Sequence, residues 1–325
     1  MHVPDHFLND ATSITTGLAA VAAVGYAAYR ARSEVTRDRI VMAAATTGLV
    51  FAVQMLNYPV SSGTSGHLMG GALAAALVGP WLGMLSVTVV LLVQSLVFAD
   101  GGITALGTNV LLMAVVGTLV GWTVTRVALF LLRGRAAPLA AGAGALVSVP
   151  VSAAVFVVLF AVGGTVAVPV GELASQMLGV HLAIGAGEAL ITGGVVALVM
   201  AVAPGAAHIE SAVALESGQP ARVASGSRRP VAVLGAGAVV AAVLLSSFAA
   251  SSPDGLEATA SAVGFAGAAR DHALSGLPLA DYGAAGGVFV GLAGLIGVAL
   301  CAAIAALALA ALRRSTPVAV PVTAG

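Results

Sequence analysis

The sequence predicts an all-α integral membrane protein, a bundle of about seven helices followed by a two-helix C-terminal unit. Three observations carry this. Hydrophobic residues make up 59% of the 325 and charged residues 8%, with a mean hydropathy of +1.07. A soluble domain carries about 25% charged residues, so this chain cannot cover a water-facing surface. Its apolar runs also reach the roughly 20 residues that a helix needs to cross a bilayer. Finally, the arginines fall between those runs in a pattern that assigns nearly all of them to one side.

The runs stand at about 12–30, 40–58, 67–79, 81–98, 105–132, 142–165 and 181–203, with Pro80 marking the turn after the short third run. Two more, 230–250 and 287–312, follow a segment rich in Gly, Ser, Ala and Pro. The expected organisation is a membrane domain over 1–203, a cytoplasmic linker over 204–229 and a two-helix membrane domain over 230–325.

Arg30, Arg32, Arg37 and Arg39 lie in the first loop, and Arg133 and Arg135 between the fifth and sixth runs. Arg222, Arg228 and Arg229 lie in the linker, and Arg313 and Arg314 after the last run. Cytoplasmic loops collect arginine, so an external N-terminus puts all eleven inside. Arg126 then sits near the cytoplasmic end of its span, only Arg270 is external, and the C-terminus is cytoplasmic.

The 13 basic and 13 acidic residues cancel, so charge suggests no nucleic-acid partner. All 13 basic residues are arginine. A phosphate loop needs Gly-Lys-Ser/Thr, so ATP hydrolysis is expected in partner subunits, and the chain itself is expected not to be an enzyme. The single cysteine, Cys301, lies in an apolar run and reads as a small buried hydrophobe. Residues 1–11, MHVPDHFLNDA, are acidic and polar, unlike a secretory signal with its basic start and apolar core. We expect no cleavage, and retention of Met1, because His2 is too large for efficient removal of the first residue.

Met1-His2 has a chelating geometry. The Met1 amine and the His2 amide nitrogen close a five-membered ring, and that amide with His2 Nδ1 closes a six-membered one. Three nitrogens in one plane suit Ni(II) and Cu(II), and less strictly Co(II); zinc prefers a tetrahedron. The amide must lose its proton, so binding weakens as pH falls. His67, in a Gly- and Ser-rich loop entering the third run, is the best fourth donor. Position alone leaves the alternative open: an ordinary tail residue and a polar residue at a helix entrance.

The opening Met1-His2-Val3-Pro4-Asp5, with Phe7-Leu8, resembles the CbiM/NikM family, the substrate-capture (S) components of cobalt and nickel energy-coupling-factor transporters. Gly63 through Leu73, Leu77-Val78-Gly79-Pro80-Trp81, Gln94 through Gly102, Ala105 through Asn109 and His181 through Thr192 are similar to its cobalt branch, over about 1–203. The resemblance implies a non-enzymatic subunit that captures Co2+, or alternatively Ni2+, with Met1, His2 and His67 as metal ligands. It implies a transmembrane coupling (T) subunit and ATP-binding cassette ATPases as partners, and cobalamin synthesis as the use of the cobalt. No resident cofactor is expected. The chain departs from the family at His6, where glycine is usual. Glycine there permits a tight turn, and His6 reads as a tolerated substitution or as an extra ligand.

Pro253-Asp254-Gly255-Leu256-Glu257 resembles the PDGLE domain that accompanies such components. Asp254 and Glu257 either attract metal at the mouth or shape a turn. His181 and Glu188, seven apart, share one helix face; Glu188 is a pathway group or a lock between helices. Asn109, Gln94 and Asn57 read as hydrogen-bonding glue or as support for the ligands. His208 and His272 lie in polar loops with no specific role expected. Ala19, Ala23 and Ala27 would let another helix, in the resembled transporters that of the T subunit, approach the first span. A secondary permease working without an ATPase and a membrane enzyme using Glu188 and His181 are the rival readings. The permease signature His-x4-Asp-His is absent.

Overall fold

Asn9 starts the first helix one polar turn ahead of the apolar run. Its side chain accepts from Thr12 N at 2.9 Å, and α1 runs Asp10–Ala31. The computed structural model describes residues 1–61, 63–218, 220, 228–280 and 288–314, and 74% of these are helical. Ser62, Arg222 and the predicted start of the last run at 287 lie outside the described residues.

Helix α2 (Arg37–Gln54), capped by Thr36, leads into a short antiparallel hairpin, β1 (Tyr58–Ser61) and β2 (Thr64–Gly66). Then come α3 (Gly71–Val78) and α4 (Pro80–Val97), with proline at the first position of α4. Helix α5 (Leu106–Asn109) passes through a π-helical stretch, Val110–Val116, into α6 (Gly117–Leu131). The long pair α7 (Ala137–Gly163) and α8 (Val170–Val202) comes next. The linker forms α9 (His208–Ser217). The C-terminal unit is α10 (Arg229–Val243), α11 (Gly255–Val263) and α12 (Val288–Arg314).

Six helices among the described residues are long and apolar enough to cross a membrane: α1, α4, α5 through α6, α7, α8 and α12. Three predicted spans need correction. The run 67–79 is helical for only eight residues, about 12 Å, and residues 67–70 are non-helical, with Gly70 in the left-handed region. The run 181–203 begins at Val170, because Glu172, Ser175 and Gln176 lower the hydropathy of a stretch that is nevertheless helical after Pro169. The run 230–250 ends as α-helix at Val243 and closes with a 3-10 turn, Leu245–Phe248.

Small residues set the helix contacts, as expected where lipid offers no hydrophobic drive for association. A Cβ on Gly142 would meet Ala189 O at 2.9 Å, and one on Gly185 would meet Leu146 O at 2.8 Å, so α7 and α8 touch backbone to backbone. The C-terminal unit lies along α2, with Gly48 against Val298 and Phe51 against Gly297. On α1, Ala27 is buried, Ala23 half-buried and Ala19 exposed, so part of the predicted stripe packs inside the bundle.

The two ends of the bundle differ. At one, Arg39 donates to Val78 O at 2.7 Å, closing α3, and Arg126 pairs with Glu216 of α9 at 2.7 Å. His208 is wedged there between Gly79 and Trp122, a packing role that its place in a polar loop did not reveal. Burial, then the charges of Arg39 and Arg126, push its imidazole down to about 4. The N-terminus, the β-hairpin and α11 gather at the other end.

Candidate metal centre

Residues 1–8 are not helical, yet Met1, Val3, Phe7 and Leu8 are among the most buried in the molecule. A chain end at that depth must find partners for its backbone. Asn109 supplies two: its Oδ1 accepts from Val3 N at 2.7 Å and its Nδ2 donates to Val3 O at 3.1 Å. Gly102 N donates to Val3 O at 2.9 Å. A side chain at Gly102 would collide with the backbone of Asp5, and Gly101 has φ +80°, so the Asp100-Gly101-Gly102 turn depends on both glycines. Asp5 Oδ1 accepts from Thr104 N at 2.7 Å and Thr104 Oγ1 at 2.6 Å. His6 has φ +71°, the left-handed turn that glycine adopts without cost. It is half-buried, and its carbonyl accepts from Thr165 Oγ1 at 2.7 Å.

This clamp delivers the chain end to His67. The Met1 amine is in direct contact with His67 Nε2. His67 Nδ1 lies 3.0 Å from Leu68 O, and because a carbonyl only accepts, the proton is on Nδ1 and the Nε2 lone pair faces the amine. A metal-binding histidine characteristically donates its other N–H in this way. The His2 ring lies beside His67, with centroids 4.8 Å apart and planes 13° from parallel. His2 Nδ1 is 3.3 Å from Asp100 Oδ1, and Nε2 is buried without a hydrogen-bond partner. Burial pushes the His2 imidazole down to about 4 against the pull of Asp100, so near neutral pH no ring charge repels a cation. Among the described residues no three His, Cys, Asp or Glu side chains could hold an ion together. Any site here depends on main-chain nitrogens as well.

Non-helical backbone at membrane depth survives only where protein encloses it. Glu188 supplies that support for residues 67–70. Its carboxylate accepts from Met69 N at 2.8 Å and Gly70 N at 3.0 Å, and Gln54 Nε2 donates to Met69 O at 2.7 Å. Glu188 thus joins α8 to the start of α3. His181, about two turns earlier on the same face of α8, donates Nδ1–H to Met177 O at 2.8 Å, and its Nε2 is buried without a partner. Gln94, wholly buried, donates to Met55 Sδ at 3.5 Å.

The C-terminal unit reaches the same place. Asp254 Oδ2 lies 3.3 Å from the Met1 amine and 3.6 Å from His67 Nε2. Burial alone would raise this carboxyl, but the charge of the adjacent Met1 ammonium holds it well below the usual carboxylate range. A cavity of about 400 Å3 opens outward between the two units, lined by His2, Asp5, Asp100, Asp254, Glu257 and His272. Asp100 and the contact of Asp254 with the chain end are not evident from sequence; the Asp-Gly-Gly turn was the available signal for the first.

The chain matches the family profile described as the cobalt uptake substrate-specific transmembrane region over residues 2–206, and the PDGLE domain profile over 228–314. It is 37% identical over 204 residues to a protein of Haloquadratum walsbyi named as a metal transport protein, covering 63% of this chain and 92% of that one. It is 47% identical over 126 residues to a protein of Archaeoglobus fulgidus named as a fused nickel transport protein, covering 39% of this chain and 42% of that one. A crystal structure titled as a truncated transition metal transporter superposes with a TM-score of 0.56 at 28% identity, covering 62% of this chain and 99% of that one. Fold and similarity together define a multi-pass membrane protein of the cobalt and nickel transport class. Within that class, the chain belongs to the CbiM family and carries a PDGLE domain at its C-terminal end.

Proposed function

We propose that this chain is the substrate-capture subunit of an energy-coupling-factor importer for divalent cobalt, serving cobalamin synthesis. The Met1 amine, the His2 amide nitrogen, His2 Nδ1 and His67 Nε2 are its four donors. The observation behind this is the contact of the amine with His67 Nε2 while the two imidazoles lie nearly parallel, 4.8 Å apart. Two imidazoles bound side by side to one ion at a metal–nitrogen distance of about 2.0 Å, both in its coordination plane, have centroids about 4.5 Å apart. Binding the ion would release one proton each from the Met1 ammonium and the His2 amide to solvent, with the His2 ring proton carried on Nε2 so that Nδ1 is free to bind.

Glu188 and Asn109 hold the ligand-bearing segments, His181 Nε2 offers the next lone pair inward, and His6 takes no part. Asp254 and Glu257, with Asp100, make the cavity mouth attractive to a cation. The arginine end of the bundle faces the cytoplasm, where the T subunit and ATPases supply the energy. The domain limits 1–203, 204–229 and 230–325 are part of this reading.

Calorimetric titration of Co(II) into purified protein with its native N-terminus tests the donor set. One extra residue before Met1 displaces the amine and is expected to abolish high-affinity binding, as is His67→Ala. Equal binding by the extended protein would sink the proposal. Nickel by the same mechanism is the second reading, because the Archaeoglobus fulgidus relative is named for nickel; competition between the two ions decides it. Uptake in cells lacking all ATPase partners would favour a secondary permease.

A further inference from the structure

The Pro253–Glu257 segment is bonded at almost every residue. Pro253 O accepts from Ser65 N at 2.9 Å, tying the segment to the strand that leads into His67. Asp254 caps α11: its Oδ1 accepts from Leu256 N and Glu257 N, both at 2.8 Å. Glu257 Oε2 returns the bond by accepting from Asp254 N at 3.0 Å. Gly255 lies against α8, where a Cβ would come within 3.1 Å of the His181 ring and within 2.8 Å of Ile184. Leu256 is fully buried.

A helix cap needs one oxygen, and Asn or Ser supplies it about as well as Asp. The charge of Asp254 and its second oxygen are therefore surplus to capping. Both are directed at the metal centre, with Oδ2 3.3 Å from the Met1 amine in a pair whose side chains are 1% and 11% exposed. Burial keeps such a pair from the solvent screening that weakens surface ion pairs. A free chain end is the part of a protein most costly to order, and ordering it in advance lowers the cost of binding. Asn109 fixes Val3, two residues away from the amine.

We propose that Asp254 is a positioning residue of the metal centre: its Oδ2 holds the Met1 amine against His67 before the ion arrives, so the centre is complete only with the PDGLE segment docked. This rests on Met1, His2 and His67 being the donors. The task of the C-terminal domain is then to build the site from the far side, with the capping box fixing one carboxylate oxygen so that the other is aimed.

The chain has no lysine, so the Met1 amine is the single primary amine of this sequence. Amine-reactive labelling of the metal-free full chain in detergent reads its position directly. Asp254→Asn keeps the Oδ1 cap and removes the charge. It is expected to label about tenfold faster and to bind Co(II) about tenfold more weakly, the lower end of the 10- to 100-fold loss usual when a supporting group is removed. Asp254→Ala should behave likewise. Thr259→Val, which removes only a hydroxyl bonded to Gly255 O within α11, should label as wild type. Wild-type labelling of Asp254→Asn would overturn the proposal, as would faster labelling with unchanged Co(II) affinity. A wild-type protein that binds neither Co(II) nor Ni(II) would instead bring down the donor set and, with it, this role.

Discussion

The residues proposed to carry the centre are outnumbered by those that hold them. Glu188 is the clearest case, because its carboxylate satisfies two buried amides of the His67 segment. Leaving a buried donor unpaired costs about 1–3 kcal/mol. Glu188→Ala is therefore expected to weaken Co(II) binding roughly 10- to 100-fold without abolishing it, whereas His67→Ala abolishes it; titration calorimetry separates the two. His6 occupies a left-handed turn that costs an L-residue roughly 1–2 kcal/mol. His6→Gly relieves that cost and should raise the unfolding temperature in detergent without changing metal affinity. His2 sets a pH dependence. Its imidazole titrates near 6.5 when unfolded and about 4 in the folded protein. Below 6.5 the unfolded state takes up the proton that the folded state refuses. Stability is then flat above pH 6.5 and falls as pH drops toward 4, visible as a declining melting temperature.

At the scale of elements, two irregular stretches do more than the regular helices around them. One is residues 67–70, a non-helical stretch that stands where the predicted span would begin and that turns His67 toward the chain end. The other is the π-helical Val110–Val116, directly after Asn109. A π turn takes about one residue more than an α turn to complete the same rotation, so the extra residue is absorbed without turning the flanking stretches away from each other. Deleting Met113 is therefore expected to restore α-helix with Asn109 still facing Val3 and Co(II) binding retained, as titration calorimetry would show. Loss of binding on that deletion would mean that the π stretch itself, and not the face it preserves, positions the clamp.

For the whole molecule, the C-terminal unit has two attachments. Helix α12 lies along α2, and α11 packs on the part of α8 near His181. The first contact can form within lipid; the second brings Asp254 to the amine. A chain ending at residue 218 should therefore still insert in the membrane but bind Co(II) about tenfold more weakly, matching the loss from Asp254→Asn. A larger loss would mean that the unit also supports α2 and, through Gln54, the carbonyl of Met69.

Composition and the length of the apolar runs were enough to read the membrane class, because crossing lipid is a condition on each segment separately. Met1, His2 and His67 were legible as candidate donors, the first two because a chelate between neighbours is local chemistry. The short α3, the early start of α8 and the π stretch were not, because hydropathy averages over a window and cannot see a buried carboxylate paired with two amides. Nor could spacing place Asp254 of the C-terminal unit on the amine of residue 1, at the opposite end of the chain. That contact exists because α12 settles on α2, and α11 on α8, in one arrangement. The identity of the candidate donors is thus written locally in the chain, whereas their meeting depends on long-range packing, where small residues let backbones touch and each buried polar group must find its partner.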